Sequence, residues 1–189
     1  MAKAKRALLV VDMQNDFMPG GALAAPEGDQ IVSLVNDLME QFETVVASKD
    51  YHPEETVHFQ KWPRHCVQGT KGAQFHPDVD VKKINQVFYK GTGNADDGYS
   101  AFEATNKDLK KYLKDLKVKE LYLVGLTTEY CVKETAIDAA RGKFNTFVIS
   151  DAIAAVRAEE DGPEKAMRAM GDAGVRMINS DSIISASNV

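Results

Sequence analysis

The sequence predicts an α/β sandwich built on a parallel sheet. Short apolar runs alternate with segments whose apolar residues recur at helical spacing. Those runs are apolar throughout rather than alternating, which suits strands buried on both faces. No internal repeat, low-complexity segment or linker divides the chain, so residues 1–189 read as one domain.

Ala7-Leu8-Leu9-Val10-Val11 reads as a buried central strand ending at Asp12. Pro19-Gly20-Gly21 marks a loop, and Ile31 to Phe42 carries a helical apolar stripe. Thr44-Val45-Val46-Ala47-Ser48 is a second strand leading to Asp50. The stretch from Tyr51 to about Asn85 is irregular and holds Pro53, Pro63, Pro77 and all four histidines. Structureless loops of that length are uncommon in compact domains and tend to be functional. Gln86-Val87-Phe88-Tyr89 is a third strand ending at Lys90, followed by a loop from Gly91 to Tyr99. Lys107 to Leu116 predicts a helix, with Leu109, Tyr112, Leu113 and Leu116 on one side.

Leu121-Tyr122-Leu123-Val124 is the fourth strand, broken by Gly125. Thr127, Thr128 and Glu129 suit a helix start, and Val132, Thr135, Ala136, Ala139 and Ala140 share one helical face. Gly142 stands where a left-handed cap would end that helix. Cys131 therefore falls in a first helical turn, where unpaired N–H groups and the helix dipole favour a thiolate and can hold an oxyanion. Thr146-Phe147-Val148-Ile149 is a fifth strand, and Asp151 reads as a cap for Ala152 to Ala155. Glu164 to Gly171 is helical, and Val175 to Ile178 is the last strand.

The bulk numbers exclude several classes of function. With 44% hydrophobic and 27% charged residues the chain is an ordinary globular protein. A net charge of -5 and the lack of a basic run argue against a nucleic-acid surface. No apolar stretch approaches the roughly 20 residues of a membrane span. The basic start, Met1 to Arg6, is followed by apolar residues only as far as Val11, too few for a signal peptide. Two cysteines, Cys66 and Cys131, make no disulfide framework and point to a reducing cytoplasm.

Asp12, Asp50, Lys90 and Cys131 each lie at or just past the carboxyl end of a strand, the rim on which open parallel sheets bind ligands. Together Asp12, Lys90 and Cys131 suit acyl transfer: a thiol attacks, a half-buried carboxyl group moves the proton, and the ammonium neutralises the carboxylate and helps hold a thiolate. Each also has an ordinary alternative: a turn cap, a solvated lysine, a small buried hydrophobe. Asp50 and His52 project to one side of an extended segment, and His58 and His65 follow in the same loop. One carboxylate with two or three imidazoles suits zinc, iron or manganese with positions left for water and ligand. His76 reads as a plain loop residue and Cys66 as a buried structural cysteine.

Five stretches in order carry a resemblance: Asp12 to Phe17, Asp50 to Pro53, Trp62 to Thr70, Lys90-Gly91-Thr92 leading to Tyr99 to Phe102, and Gly125 to Asp138. Over nearly its whole length the chain resembles the nicotinamidases of the isochorismatase-like cysteine hydrolase superfamily. The resemblance implies a three-layer fold with a six-stranded parallel sheet flanked by helices, and Asp12, Lys90 and Cys131 as catalytic triad. It implies an oxyanion hole from the backbone N–H groups of Thr127 and Cys131, with a cis Leu126–Thr127 peptide. It implies one divalent metal ion, most simply zinc with iron or manganese as alternatives, on Asp50, His52 and His65, with His58 in the place of a further ligand. Phe17, Trp62 and Tyr99 match positions that line the ring pocket. The implied reaction is hydrolysis of nicotinamide to nicotinate and ammonia in NAD salvage, with pyrazinamide as an analogue. Two positions depart from the family pattern: Thr127 stands for alanine and Glu129 for aspartate. The implied partner is a small molecule rather than nucleic acid or membrane, and a homo-oligomer stays open. Three other readings remain at this stage: an amidase for a carbamoyl or ureido compound, a non-catalytic binding member, and a metal-activated hydrolase in which Cys131 is structural.

Overall fold

The N-terminal apolar run forms β1 (Lys5–Val11), whose residues Ala7 to Val11 are completely buried. The other strands are β2 (Val45–Asp50), β3 (Gln86–Lys90), β4 (Val118–Leu126), β5 (Asn145–Ala154) and β6 (Arg176–Ile178). In this computed structural model, which describes residues 4–185, they make one six-stranded sheet in the order β3-β2-β1-β4-β5-β6. Every neighbouring pair is parallel. Met1 to Lys3, the head of the basic start, lie outside the described residues.

Successive side chains of a strand point to opposite faces, so β1 feeds two cores. Leu8 and Val10 pack with Val35, Leu38 and Val124, while Leu9 and Val11 pack with Leu109, Leu113, Leu123, Ala136 and Met170. The first face is covered by α1 (Val32–Met39) and α5 (Asp181–Ile184), the second by α2 (Leu109–Asp115), α3 (Lys133–Arg141) and α4 (Gly162–Asp172). Helix, sheet and helix give the three layers expected from the alternating pattern. Truncating any of these central leucines to alanine removes packing worth about 2–5 kcal/mol.

Three local expectations are corrected. The fourth strand does not stop at Gly125 but runs on to Leu126. Gly125 has φ +110, and a Cβ there would run into the backbone oxygen and nitrogen of Val11 on the neighbouring strand. Glycine therefore lets β4 continue against β1 instead of breaking it. Gly125→Ala is expected to lower the unfolding free energy by about 3 kcal/mol, through strained φ and overpacking together; an unchanged urea midpoint would contradict this. Gly142 has φ -69, and the left-handed residue is Lys143, at φ 67. Asp151 lies inside β5 rather than at a helix start. Its carboxylate instead accepts from Ser180 N at 2.9 Å and Ser180 Oγ at 2.5 Å, ahead of α5.

Strand order now decides where a site can form. Connections run outward through β2 and β3 on one side of β1, and through β5 and β6 on the other side of β4. The reversal opens a crevice beyond the carboxyl ends of β1 and β4, the usual ligand position in such sheets.

Candidate active site

Asp12 is the first residue past β1, at φ 46, a left-handed turn that aspartate tolerates better than most residues. Asp50 closes β2 and Lys90 closes β3, and the two are register partners, so their side chains leave the same side of the sheet. Cys131 follows β4 within a π-helical turn, Thr128–Val132, that leads into α3. Four contiguous strands thus deliver these four groups to one point.

Lys90 is at the centre and completely buried. Its Nζ lies 2.8 Å from Asp12 Oδ2, and donates to Asp50 Oδ1 at 3.0 Å, Gly98 O at 2.6 Å and Cys131 Sγ at 3.3 Å. The solvated-lysine alternative is thereby removed. Burial alone would lower the Lys90 pKa, but the Asp12 and Asp50 carboxylates hold it well above the usual value, so it stays charged. Asp12 is also completely buried, and its Oδ1 accepts from Ser48 Oγ at 2.7 Å. Its Oδ2 faces the Lys90 ammonium and takes no further donor. Burial raises the Asp12 carboxyl above its ordinary value, with Lys90 pulling the other way.

The expected thiolate is corrected. Burial pushes the Cys131 thiol well above its usual range; Lys90 opposes this, and Asp12 and Asp50 reinforce it. Two carboxylates face one ammonium in a dry site, a balance that favours the protonated thiol over the thiolate. Asp12 and Cys131 both contact the Lys90 ammonium, which sets the carboxyl group beside the thiol as a general base requires.

Cys131 opens into a narrow cavity lined by Phe17, Asp50, His58, Trp62, His65, Tyr99, Thr127 and Tyr130, among others. Phe17, Trp62 and Tyr99 do meet there. The Leu126–Thr127 peptide is cis, as the resemblance implies, and Thr127 and Cys131 both face the cavity.

His58 and His65 stand on one wall with the completely buried His52 stacked against His58, and each of the three offers a ligand atom within 4.8 Å of the others. Asp50 Oδ2 lies 3.1 Å from His52 Nε2 and 3.3 Å from His65 Nε2. Burial would raise the Asp50 carboxyl, yet Lys90 and the two imidazoles hold it well below the ordinary value. The outer nitrogens of two rings are already engaged: His65 Nδ1 meets Pro63 O at 2.6 Å, and His58 Nδ1 meets Asp96 Oδ1 at 2.9 Å. Such contacts fix the tautomer that leaves Nε2 bare for a cation. Burial and the neighbouring His52 lower the His58 pKa to about 4, so it is a neutral ligand at neutral pH. His52 is completely buried; its Nε2 meets only the Asp50 carboxylate and its Nδ1 has no hydrogen-bond partner. Three clustered imidazoles beside an ionised carboxylate fit a divalent metal ion.

Four contributors escaped the sequence reading. Ser48 anchors Asp12. Gln14 clamps the Asp50 backbone, donating from Nε2 to Asp50 O at 2.7 Å and accepting from Asp50 N at 2.8 Å. Tyr130 meets Trp62 edge-on at 4.8 Å. Asp96 bridges His58 and Tyr99. Only Gln14, two residues past Asp12, carried a signal in its spacing. Glu129 turns away from the sulfur: its carboxylate accepts the backbone N–H groups of Val156 at 3.1 Å and Arg157 at 2.6 Å, where Arg157 adopts φ 58. The longer arm thus reaches the segment after β5. His76 and Cys66 stay outside the cluster, as expected; burial pushes the Cys66 thiol well above its usual range.

A thiol, a carboxyl group and an ammonium at the switch point of a doubly wound parallel sheet describe a cysteine hydrolase, and the chain belongs to the isochorismatase domain family, which matches residues 6–182. Its relatives in that family include several nicotinamidases. It is 37% identical to the nicotinamidase of Acinetobacter baylyi, over 94% of each chain. It is 38% identical to the nicotinamidase/pyrazinamidase of Mycobacterium tuberculosis, over 92% of this chain and 98% of that one. Its fold matches the pyrazinamidase of Pyrococcus horikoshii, solved in complex with zinc, with a TM-score of 0.84 and 40% identity over 93% of this chain and 99% of that one.

Proposed function

We propose that this protein is a nicotinamidase, hydrolysing nicotinamide to nicotinate and ammonia in NAD salvage and deamidating pyrazinamide as an analogue. The observation that carries the reading is Lys90, whose one buried ammonium touches Asp12, Asp50 and Cys131 and so joins the thiol site to the metal cluster.

In the mechanism Asp12 takes the Cys131 proton on Oδ2 as the sulfur attacks the carboxamide carbon. The backbone N–H groups of Thr127 and Cys131 hold the oxyanion. Asp12 then gives its proton to the departing amide nitrogen, which leaves as ammonia, and the acyl group stays on sulfur as a thioester. Asp12 next deprotonates a water that attacks the thioester, and returns that proton to sulfur as nicotinate leaves. Phe17, Trp62 and Tyr99 enclose the ring and exclude bulk water. Asp50, His52, His58 and His65 hold the ion, which we assign as zinc; when bound it supplies a Lewis-acid anchor for the pyridine nitrogen.

Two unpaired cysteines agree with a cytoplasmic location, and among the described residues no helix is long and apolar enough to cross a membrane.

The test is ammonia release from nicotinamide before and after metal is stripped with a chelator. Release is expected to fall to background and to return with added zinc. Unchanged release from protein shown to be metal-free would overturn the metal assignment. Recovery with iron or manganese alone would replace zinc. No release under any loading, with release from a ureido compound, would overturn the substrate.

A further inference from the structure

We propose that Asp96 is a positioning residue that couples ion binding at His58 to the aromatic wall of the ring cavity. The inference rests on the metal reading above and adds to it a residue outside the cavity.

Asp96 belongs to the loop after β3, is 40% exposed at its side chain and does not line the cavity. It nevertheless meets the site at two points through one oxygen. Oδ1 lies 2.9 Å from His58 Nδ1 and accepts from Tyr99 Oη at 2.7 Å. Tyr99 Oη in turn accepts from Trp62 Nε1 at 2.9 Å and from Lys61 Nζ at 3.3 Å. The rings follow the same path: His58 stacks towards Trp62 at 6.4 Å and 25°, and lies 5.7 Å from Tyr99. A continuous chain of hydrogen bonds therefore runs from a metal-facing imidazole to the indole of the ring pocket.

The physical consequence has two parts. A carboxylate on Nδ1 fixes the His58 tautomer and makes Nε2 a stronger donor to a cation, an effect worth about 10–100-fold in metal affinity at comparable sites. A cation on Nε2 draws electron density from the ring and strengthens the Nδ1–H bond to Asp96. Because Oδ1 also accepts from Tyr99, a change at His58 alters the anchor of Tyr99 and hence of Trp62. Removing Asp96 should weaken ion binding and disconnect the wall.

Trp62 is the only tryptophan in the chain, so intrinsic emission reports this wall alone. Metal-free protein is titrated with zinc in a competing chelator, reading zinc affinity and tryptophan emission together. In the parent the emission change should track zinc occupancy. Asp96→Ala should lose about 10–100-fold in zinc affinity, and its emission should no longer follow occupancy. Tyr99→Phe, which leaves the Asp96–His58 contact in place, should keep the parent's affinity and lose the emission response. Parent-like affinity in Asp96→Ala, or an emission response that survives there or in Tyr99→Phe, overturns the coupling alone. A parent chain that binds no zinc, iron or manganese overturns the metal reading and this inference together.

Discussion

Cys131→Ala is expected to reduce ammonia release from nicotinamide by about 10⁴-fold or more, while the protein keeps its metal. The sulfur is the atom that enters the bond being broken, and alanine leaves nothing to carry the acyl group. Asp50 and the three histidines are separate side chains, so their hold on an ion does not pass through Sγ. The rival mechanism makes the opposite forecast: were the ion to activate water and the thiol merely fill space, alanine would leave much of the turnover. Steady-state ammonia release and metal content on the same preparation separate the two. Cys131→Ser should resemble the alanine variant, because a buried hydroxyl holds its proton more firmly than the thiol that Asp12 must deprotonate.

Lys90→Met should both abolish turnover and lower the unfolding free energy by about 3–5 kcal/mol, the typical result of removing one partner from a buried ionic group. Methionine fills similar volume, so the loss is electrostatic. Without the ammonium, the buried Asp12 and Asp50 carboxylates lose the cation they share. One of them must then take up a proton, and Asp12 can no longer cycle between base and acid beside a fixed positive charge. Urea unfolding of the metal-free proteins reads the effect. The control is Lys111→Met: Lys111 Nζ lies closer to its carboxylate, 2.6 Å from Asp115 Oδ2, but on the solvent-exposed face of α2. Its loss should leave the unfolding midpoint in place, since water and salt screen such pairs. A Lys90→Met midpoint as little changed as that of Lys111→Met would mean that the buried cluster is not held by this charge.

The arrangement of Asp96 extends the same logic outward. Lys90 links the thiol to Asp50, Asp50 borders His52 and His65, and Asp96 links His58 to the cavity wall. One polar network joins the acyl chemistry to the Asp50 carboxylate, and a second joins His58 to the ring wall; the stacked His52 and His58 rings bring the two together.

The order of strands and helices was legible because burial on two faces demands apolar runs and burial on one face demands helical spacing. The strands of both central runs came through directly, as did the polar residues ending them. The residues themselves grouped Asp50 with His52, His58 and His65 as a metal cluster, and the resemblance added the ring-lining aromatics. Other features were hidden because they depend on partners distant in the chain. Gly125 looked like a breaker, yet the backbone of Val11 makes glycine the residue that lets β4 continue. Asp151 looked like a local cap, yet its partner is Ser180. Glu129 read as a helix-start residue that departs from the family's aspartate, yet it holds the backbone after β5.

The sequence by itself determined the fold class, the strand ends that carry chemistry and the family motifs, since these follow from local patterning along the chain. Only the tertiary structure decided the protonation of the site and its second ring of partners. Cys131 sits near the start of a helix, which by itself favours a thiolate, but burial with two carboxylates around one ammonium pushes the other way and favours the protonated thiol. Electrostatic energy depends on distances and on excluded water, and neither exists until β1, β2, β3 and β4 lie side by side.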